Sequence, residues 1–154
     1  MKVKPFRIST SLLCLFIGVS LRLNAQVFSV QHIFTNSPDG AHPGTLALYN
    51  GVVFGTTFRG GSTNSGMIFK LNLDGTGYTR LYNFLGGTNG AYPGDLLIDN
   101  GTIYGTTYSG GNNSYGLVYR VSTNGLGYTV LYQFGATSTD AEYPPYSSGL
   151  LPLL

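Results

Sequence analysis

Residues Gly55 to Ser62 read GTTFRGGS. Written as G-x-x-x-x-G-x-S, they have the spacing of a phosphate-cradling loop, with Gly61 where a lysine should stand. Such a loop needs that lysine to reach the phosphates and a helix whose N-terminus faces them. Thr63 to Gly66, which follow, are turn formers leading into an apolar stretch, and the related segment Gly105 to Asn112 also lacks lysine. The glycines are therefore expected to serve a tight turn at a strand exit and not a nucleotide.

Other reactive groups are few and scattered. His32 and His42 are the only histidines, with no His-x-x-x-His spacing, so zinc has no support. Asn72-Leu73-Asp74-Gly75 invites a calcium loop, but that register puts Lys70 at the first ligand position. A turn is the expected reading. Asp95 and Asp99 flank a short apolar run and would share a strand face. Paired carboxylates serve glycosidic chemistry at separations of about 5–9 Å, yet acids beside an Asn-Gly turn are expected to be solvated. Asp39, Asp95, Asp99, Asp140 and Glu142 find no acidic counterparts between the repeats described below. Nothing points to a Ser-His-Asp triad. No catalytic residue, metal ligand or cofactor is assigned.

Two groups of side chains remain as binding candidates. Tyr92, Tyr115, Tyr143 and Tyr146 are placed in loops, where exposed rings stack on sugars or contact a surface protein. The alternative is that they pack between structural units. Lys70 and Arg120 could line a groove for an anionic glycan. The plainer expectation is a solvated outer edge, where charge discourages sheet-to-sheet aggregation.

The elements that would position these groups begin after residue 25. Lys2, Lys4 and Arg7 precede an apolar core, Ser11 to Leu21, and Leu23-Asn24-Ala25 offers a small residue before Gln26. That order is a secretory signal peptide, and its apolar core is too short to span a bilayer. Export to the outside or the cell surface is expected, with no membrane association after cleavage. The formal charge of the whole chain is +2, but Lys2, Lys4, Arg7 and Arg22 belong to the leader. Four basic residues then face six acids, a net of about −2, which offers no basic patch for nucleic acid. The single cysteine, Cys14, lies in the leader too, so the remaining chain has no disulfide to rely on.

The rest repeats itself. Residues 51–84 align without a gap on 101–134, with Gly55-Thr56-Thr57 on Gly105-Thr106-Thr107 and Tyr78 and Tyr82 on Tyr128 and Tyr132. Phe34, Gly40, Pro43 and Leu46 lie fifty positions before Phe84, Gly90, Pro93 and Leu96. A period of that length suits propeller blades. Four strands are predicted in one unit: Asp95–Ile98, Thr102–Tyr108, Leu117–Val121 and Tyr128–Phe134. Asn50-Gly51 and Asn100-Gly101 are tight hairpin signals. Alternation puts Phe54, Thr56 and Phe58 on one bulky face and Val53, Gly55 and Thr57 on a small face that would admit a neighbouring sheet's aromatics. Tyr78, Tyr82 and Phe84 are read as sharing a face.

The motif Ile103-Tyr104-Gly105-Thr106-Thr107, Gly110-Gly111, Gly116 to Val121 and Tyr128 to Phe134, matched equally well by residues 53–84, resembles the GloVer tandem repeat of exported bacterial proteins. The resemblance implies an extracellular or cell-surface repeat protein with no assigned chemistry. The layout is also similar to a kelch blade, with Tyr78 and Tyr128 where kelch has tryptophan.

The expected architecture is all-β: tandem four-stranded antiparallel blades of propeller type. A partial unit spans 26–44, two units span 45–94 and 95–144, and a stub spans 145–154. Propellers close with about 4–8 blades, so the chain is expected to be part of a longer protein, or else to pair its open edges with another copy. The expected role is structural or interactive. The alternative is one part of a polysaccharide-acting propeller enzyme whose catalytic residues lie outside this chain.

Overall fold

The computed structural model describes residues 28–137 and 139–140. Tyr143, Tyr146 and the segments read as a leader and a stub lie outside the described residues. Eight strands form two four-stranded antiparallel sheets, and the order along each sheet is the order along the chain. The first holds β1 (Ala41–Tyr49), β2 (Val52–Arg59), β3 (Met67–Asn72) and β4 (Thr79–Asn83). The second holds β5 (Ala91–Asp99), β6 (Thr102–Ser109), β7 (Leu117–Ser122) and β8 (Thr129–Gln133). A 3-10 turn at Gly87–Asn89 joins the two sheets. The expectation of all-β, four-stranded antiparallel blades holds.

The hairpins form as their sequences require. Asn50 and Gly51 have φ of 48° and 77°, and Asn100 and Gly101 have 45° and 78°. Both residues of each turn are thus left-handed, matching the twist of the flanking strands. Gly55-Ser62 is the exit of β2. Gly60 has φ of 83°, and a Cβ there would come within 2.4 Å of the Gly40 Cα. Gly110 repeats the contact against Gly90. The double glycine lets two backbone segments touch at the mouth of each sheet.

Three expectations are corrected. The first strand of the second unit starts at Ala91, four residues before Asp95. Pro93 and Gly94 fit inside the strand because β5 is an edge strand, and its pairing with β6 slips between Pro93 and Leu96. An edge strand with a bulge tolerates proline. Next, Tyr78 does not share a face with Tyr82 and Phe84. Ile68 pairs with Tyr82 but Phe69 pairs with Arg80, so Leu81 is an extra residue in β4. A bulge of one residue switches every side chain beyond it to the other face. Leu131 does the same in β8.

The small face also has a different immediate cause. Gly55 stands opposite Phe69 in the same sheet, and a Cβ on Gly55 would lie 2.5 Å from the Phe69 ring. In the second sheet Gly105 lies under Tyr119 in the same way. Each glycine accommodates an aromatic of its own sheet, folded flat across the strand. That ring then meets the neighbouring sheet: Tyr119 contacts Phe84 edge-on at 5.1 Å.

The main core is this sheet-to-sheet seam. Phe54, Ile68 and Phe84 from the first unit meet Leu96, Ile103, Leu117, Tyr119 and Val121 from the second. Thr56 joins it by donating to the Gly94 carbonyl at 2.9 Å. A smaller core, Met67, Phe69 and Leu71, lies on the opposite face of the first sheet and is covered by Phe34 and Tyr78.

Candidate functional site

A ring-and-clip unit recurs at each sheet boundary. Tyr82 of β4 stacks on Tyr128 at 4.2 Å with the rings 7° from parallel. The Tyr82 hydroxyl donates to Asn89 Oδ1 at 2.7 Å, and the Tyr128 hydroxyl donates to the Asn89 carbonyl at 2.8 Å. Asn89 thus holds one tyrosine by its side chain and the next sheet's tyrosine by its backbone. Fifty residues earlier, His32 takes the place of Tyr82 and stacks on Tyr78 at 3.9 Å and 5°. His32 Nε2 lies 3.2 Å from Asp39 Oδ2, and the Tyr78 hydroxyl donates to the Asp39 carbonyl at 2.6 Å. In the last copy the Tyr132 hydroxyl donates to Asp140 Oδ2 at 2.8 Å.

These contacts correct the reading that Asp39 and Asp140 lack acidic counterparts. Asp39 accepts from the Thr35 amide and Asp140 from the Ala136 amide, the same local turn in both. The equivalence is hidden because the later copy carries one extra residue between its tyrosine and its acid. Asp39, Asn89 and Asp140 are one structural position with a side-chain oxygen as its requirement.

Burial sets the acid-base character of the clip. Burial is the main force raising the Tyr78, Tyr128 and Tyr119 phenols above the ordinary tyrosine value, because a phenolate would lose its hydration. Tyr82 is raised for the same reason, against a smaller opposite effect of its bond to Asn89. All four are neutral, and Tyr78, Tyr82 and Tyr128 act as donors. Tyr119 is fully buried, and among the described residues its hydroxyl has no hydrogen-bond partner.

Of the tyrosines proposed for binding, Tyr92 lies in β5 and not in a loop. Its φ is 59°, its ring stacks on Phe58 at 4.8 Å, and the Arg59 guanidinium lies 5.4 Å from its centre. Its amide donates to the Ser65 carbonyl at 2.8 Å. Tyr92 is thus a bond between the sheets, the alternative that sequence reasoning had left open. Tyr115 is in the bend before β7, half-buried, and its ring lies against Gly135. The structure does not bring Tyr92 and Tyr115 into one cluster.

The other candidates disperse too. Lys70 and Arg120 sit in β3 and β7, which are central strands and not blade edges, opposite Phe54 and Tyr104. Asp74 accepts from the Thr76 hydroxyl and amide at 2.7 and 2.9 Å, which holds its carboxyl below the ordinary value and makes it a turn residue. Asn124 plays that part in the next copy by accepting from the Leu126 amide. Asp95 accepts from Thr45 of the first sheet and so ties β1 to β5. His42 is exposed. Among the described residues, no three histidines, cysteines or acids gather where a metal ion would bind.

The surfaces that the sequence reading missed are whole sheet faces. The outer face of the second sheet repeats the buried face of the first. Phe54, Thr56, Ile68 and Phe84 are buried, while their counterparts Tyr104, Thr106, Val118 and Phe134 are only half-buried. Tyr132 is 47% exposed. The signal was present in the fifty-residue alignment, which assigns both sets to one face.

The chain matches the Gloeobacter/Verrucomicrobia repeat over residues 18–151. The match covers both sheets and begins inside the segment read as a leader. Comparison with curated proteins and with solved structures finds no match.

Proposed function

We propose, from the premise that this chain belongs to the Gloeobacter/Verrucomicrobia repeat family, that it is an exported or cell-surface module with a structural or interaction role and no catalysis of its own. The observation that carries the reading is the use made of its polar aromatics. Tyr82 and Tyr128 stack on each other across the seam, Tyr78 stacks on His32 and Tyr92 on Phe58, so these rings join adjoining units. Three of the acids, Asp39, Asp74 and Asp95, likewise serve turns and strand ties. What the module offers to its surroundings is the broad apolar-aromatic face of a sheet. Export is supported by the basic, apolar and small-residue order of residues 1–25.

Expression of the full chain with a C-terminal tag in a bacterial host tests this. The expected result is tagged protein outside the cytoplasm whose N-terminal peptide, by mass spectrometry, begins at Gln26. Protein retained in the cytoplasm with residues 1–25 attached would overturn the export reading. Release of reducing ends from a panel of polysaccharides by the purified chain would overturn the non-catalytic one.

A further inference from the structure

The two outer faces of the described pair of sheets are complementary halves of the seam between them. On the second sheet the outward face carries Tyr104, Thr106, Val118 and Tyr132, with Leu97 57% exposed beside them. Its counterpart at that last position is Ala47, which packs into the main core. Thr106 is equivalent to Thr56, whose hydroxyl reaches across to Gly94. On the first sheet, the outward face carries Leu46 and Leu48, 60% and 63% exposed. Their equivalents in the second sheet are Leu96, 6% exposed beneath the first sheet, and Ile98, also packed on the seam.

The N-terminal segment covers only part of that second face. His32 and Phe34 stand where Tyr82 and Phe84 stand one unit later, against Tyr78 and Phe69. They fill the β3–β4 side and leave the β1 side, Leu46 and Leu48, in water. On the other outward face Tyr132 is already oriented by Asp140, and among the described residues its one ring neighbour is Phe134. Among the described residues it has no stacked tyrosine such as Tyr82 has in Tyr128.

We infer that the chain associates head to tail with a second copy of itself: the outer face of the second sheet, around Tyr132 and Leu97, seats on the outer face of the first sheet, around Tyr78 and Leu48. The geometry is that of the seam already present within the chain, continued across two molecules. Tyr132 stacks on the partner's Tyr78, and the partner's His32, its local substitute, is displaced. Because the two faces differ, the contact is heterologous and leaves one face of each kind open at the ends of a pair. Association therefore continues with concentration, and residues 28–40 act as a built-in competitor that restrains it.

Sedimentation velocity on the full chain over a range of concentrations tests this, with circular dichroism to confirm folding. Wild type is expected to form dimers and longer assemblies. Tyr132→Asp and Leu48→Asp each alter an exposed side chain on one face, and each is expected to weaken association about tenfold or more. Mixing the two variants is the decisive arm. Each keeps one intact face, so the mixture is expected to form one-to-one pairs that do not grow further. His32→Ala is expected to strengthen self-association. A monomer at all concentrations, for wild type and His32→Ala alike, would overturn the inference. So would assembly that neither aspartate variant weakens, or a mixture that stays monomeric.

Discussion

Tyr82 and Tyr128 lie parallel at 4.2 Å across the seam between the sheets, and both hydroxyls donate to the single residue Asn89. One residue of the linker thus fixes the end of one sheet and the start of the last strand of the next. Tyr128→Phe keeps the stack and removes one donor, and is expected to cost about 1 kcal/mol. Tyr128→Ala removes the ring as well and is expected to cost about 3 kcal/mol or more. Urea unfolding of both variants checks the difference.

Tyr119 carries the opposite expectation. Its hydroxyl is buried without a partner among the described residues, while the equivalent position in the first sheet is Phe69. A buried hydroxyl with no partner loses its hydration and gains nothing in exchange. Tyr119→Phe is therefore expected to stabilise by about 1 kcal/mol, read as a higher denaturation midpoint at unchanged slope.

Gly105 tests the same ring from below. Its φ lies outside the left-handed region, but an added Cβ would lie 2.4 Å from the Tyr119 oxygen and 2.6 Å from the ring carbon bearing it. Gly105→Ala is expected to cost about 1–3 kcal/mol through overpacking. Combined with Tyr119→Phe, which removes the nearest atom, the cost should shrink. Non-additivity in that double-mutant cycle is the measurement.

Thr56 and Thr106 form a matched pair. Thr56 is fully buried and donates to Gly94 of the second sheet at 2.9 Å, whereas Thr106 is half-buried on the outward face. Thr56→Val is expected to cost about 1–2 kcal/mol because it also strips the Gly94 carbonyl of that donor. Thr106→Val in dilute monomer is expected to change stability by less than about 0.5 kcal/mol. Equal effects at the two sites would contradict the assignment of inner and outer faces.

High pH should unfold the protein. Tyr78, Tyr82, Tyr119 and Tyr128 all have phenols raised by burial. Their neutral forms are favoured by the fold, so stability is fully present below the ordinary tyrosine value of about 10. Above it the unfolded chain loses these protons first, and stability falls until the folded-state values are passed. Fully buried Tyr119 alone contributes a decline of about 1.4 kcal/mol per pH unit in that window. Thermal melts from pH 8 to 12 should be flat at first and then drop, with tyrosinate absorbance appearing together with unfolding.

The sequence by itself determined the repeat, the four strands of each sheet and the turns between them. These follow from local rules: Asn-Gly pairs adopt left-handed turns wherever they occur, and apolar alternation marks a two-faced strand. It also disposed of the nucleotide loop, since a copy of Gly55-Ser62 fifty residues on again lacks the lysine. What it could not supply were the faces on which particular residues end. The bulge at Leu81 turns Tyr78 away from Tyr82, and the slip at Pro93 draws Tyr92 into a strand. A bulge depends on how two strands pair, which no single strand encodes. The shared place of Asp39, Asn89 and Asp140 was likewise hidden by one inserted residue and revealed by the hydrogen bonds they accept. Only the tertiary structure decided which faces are buried, because two faces of nearly the same sequence differ in whether another of the described sheets stands over them.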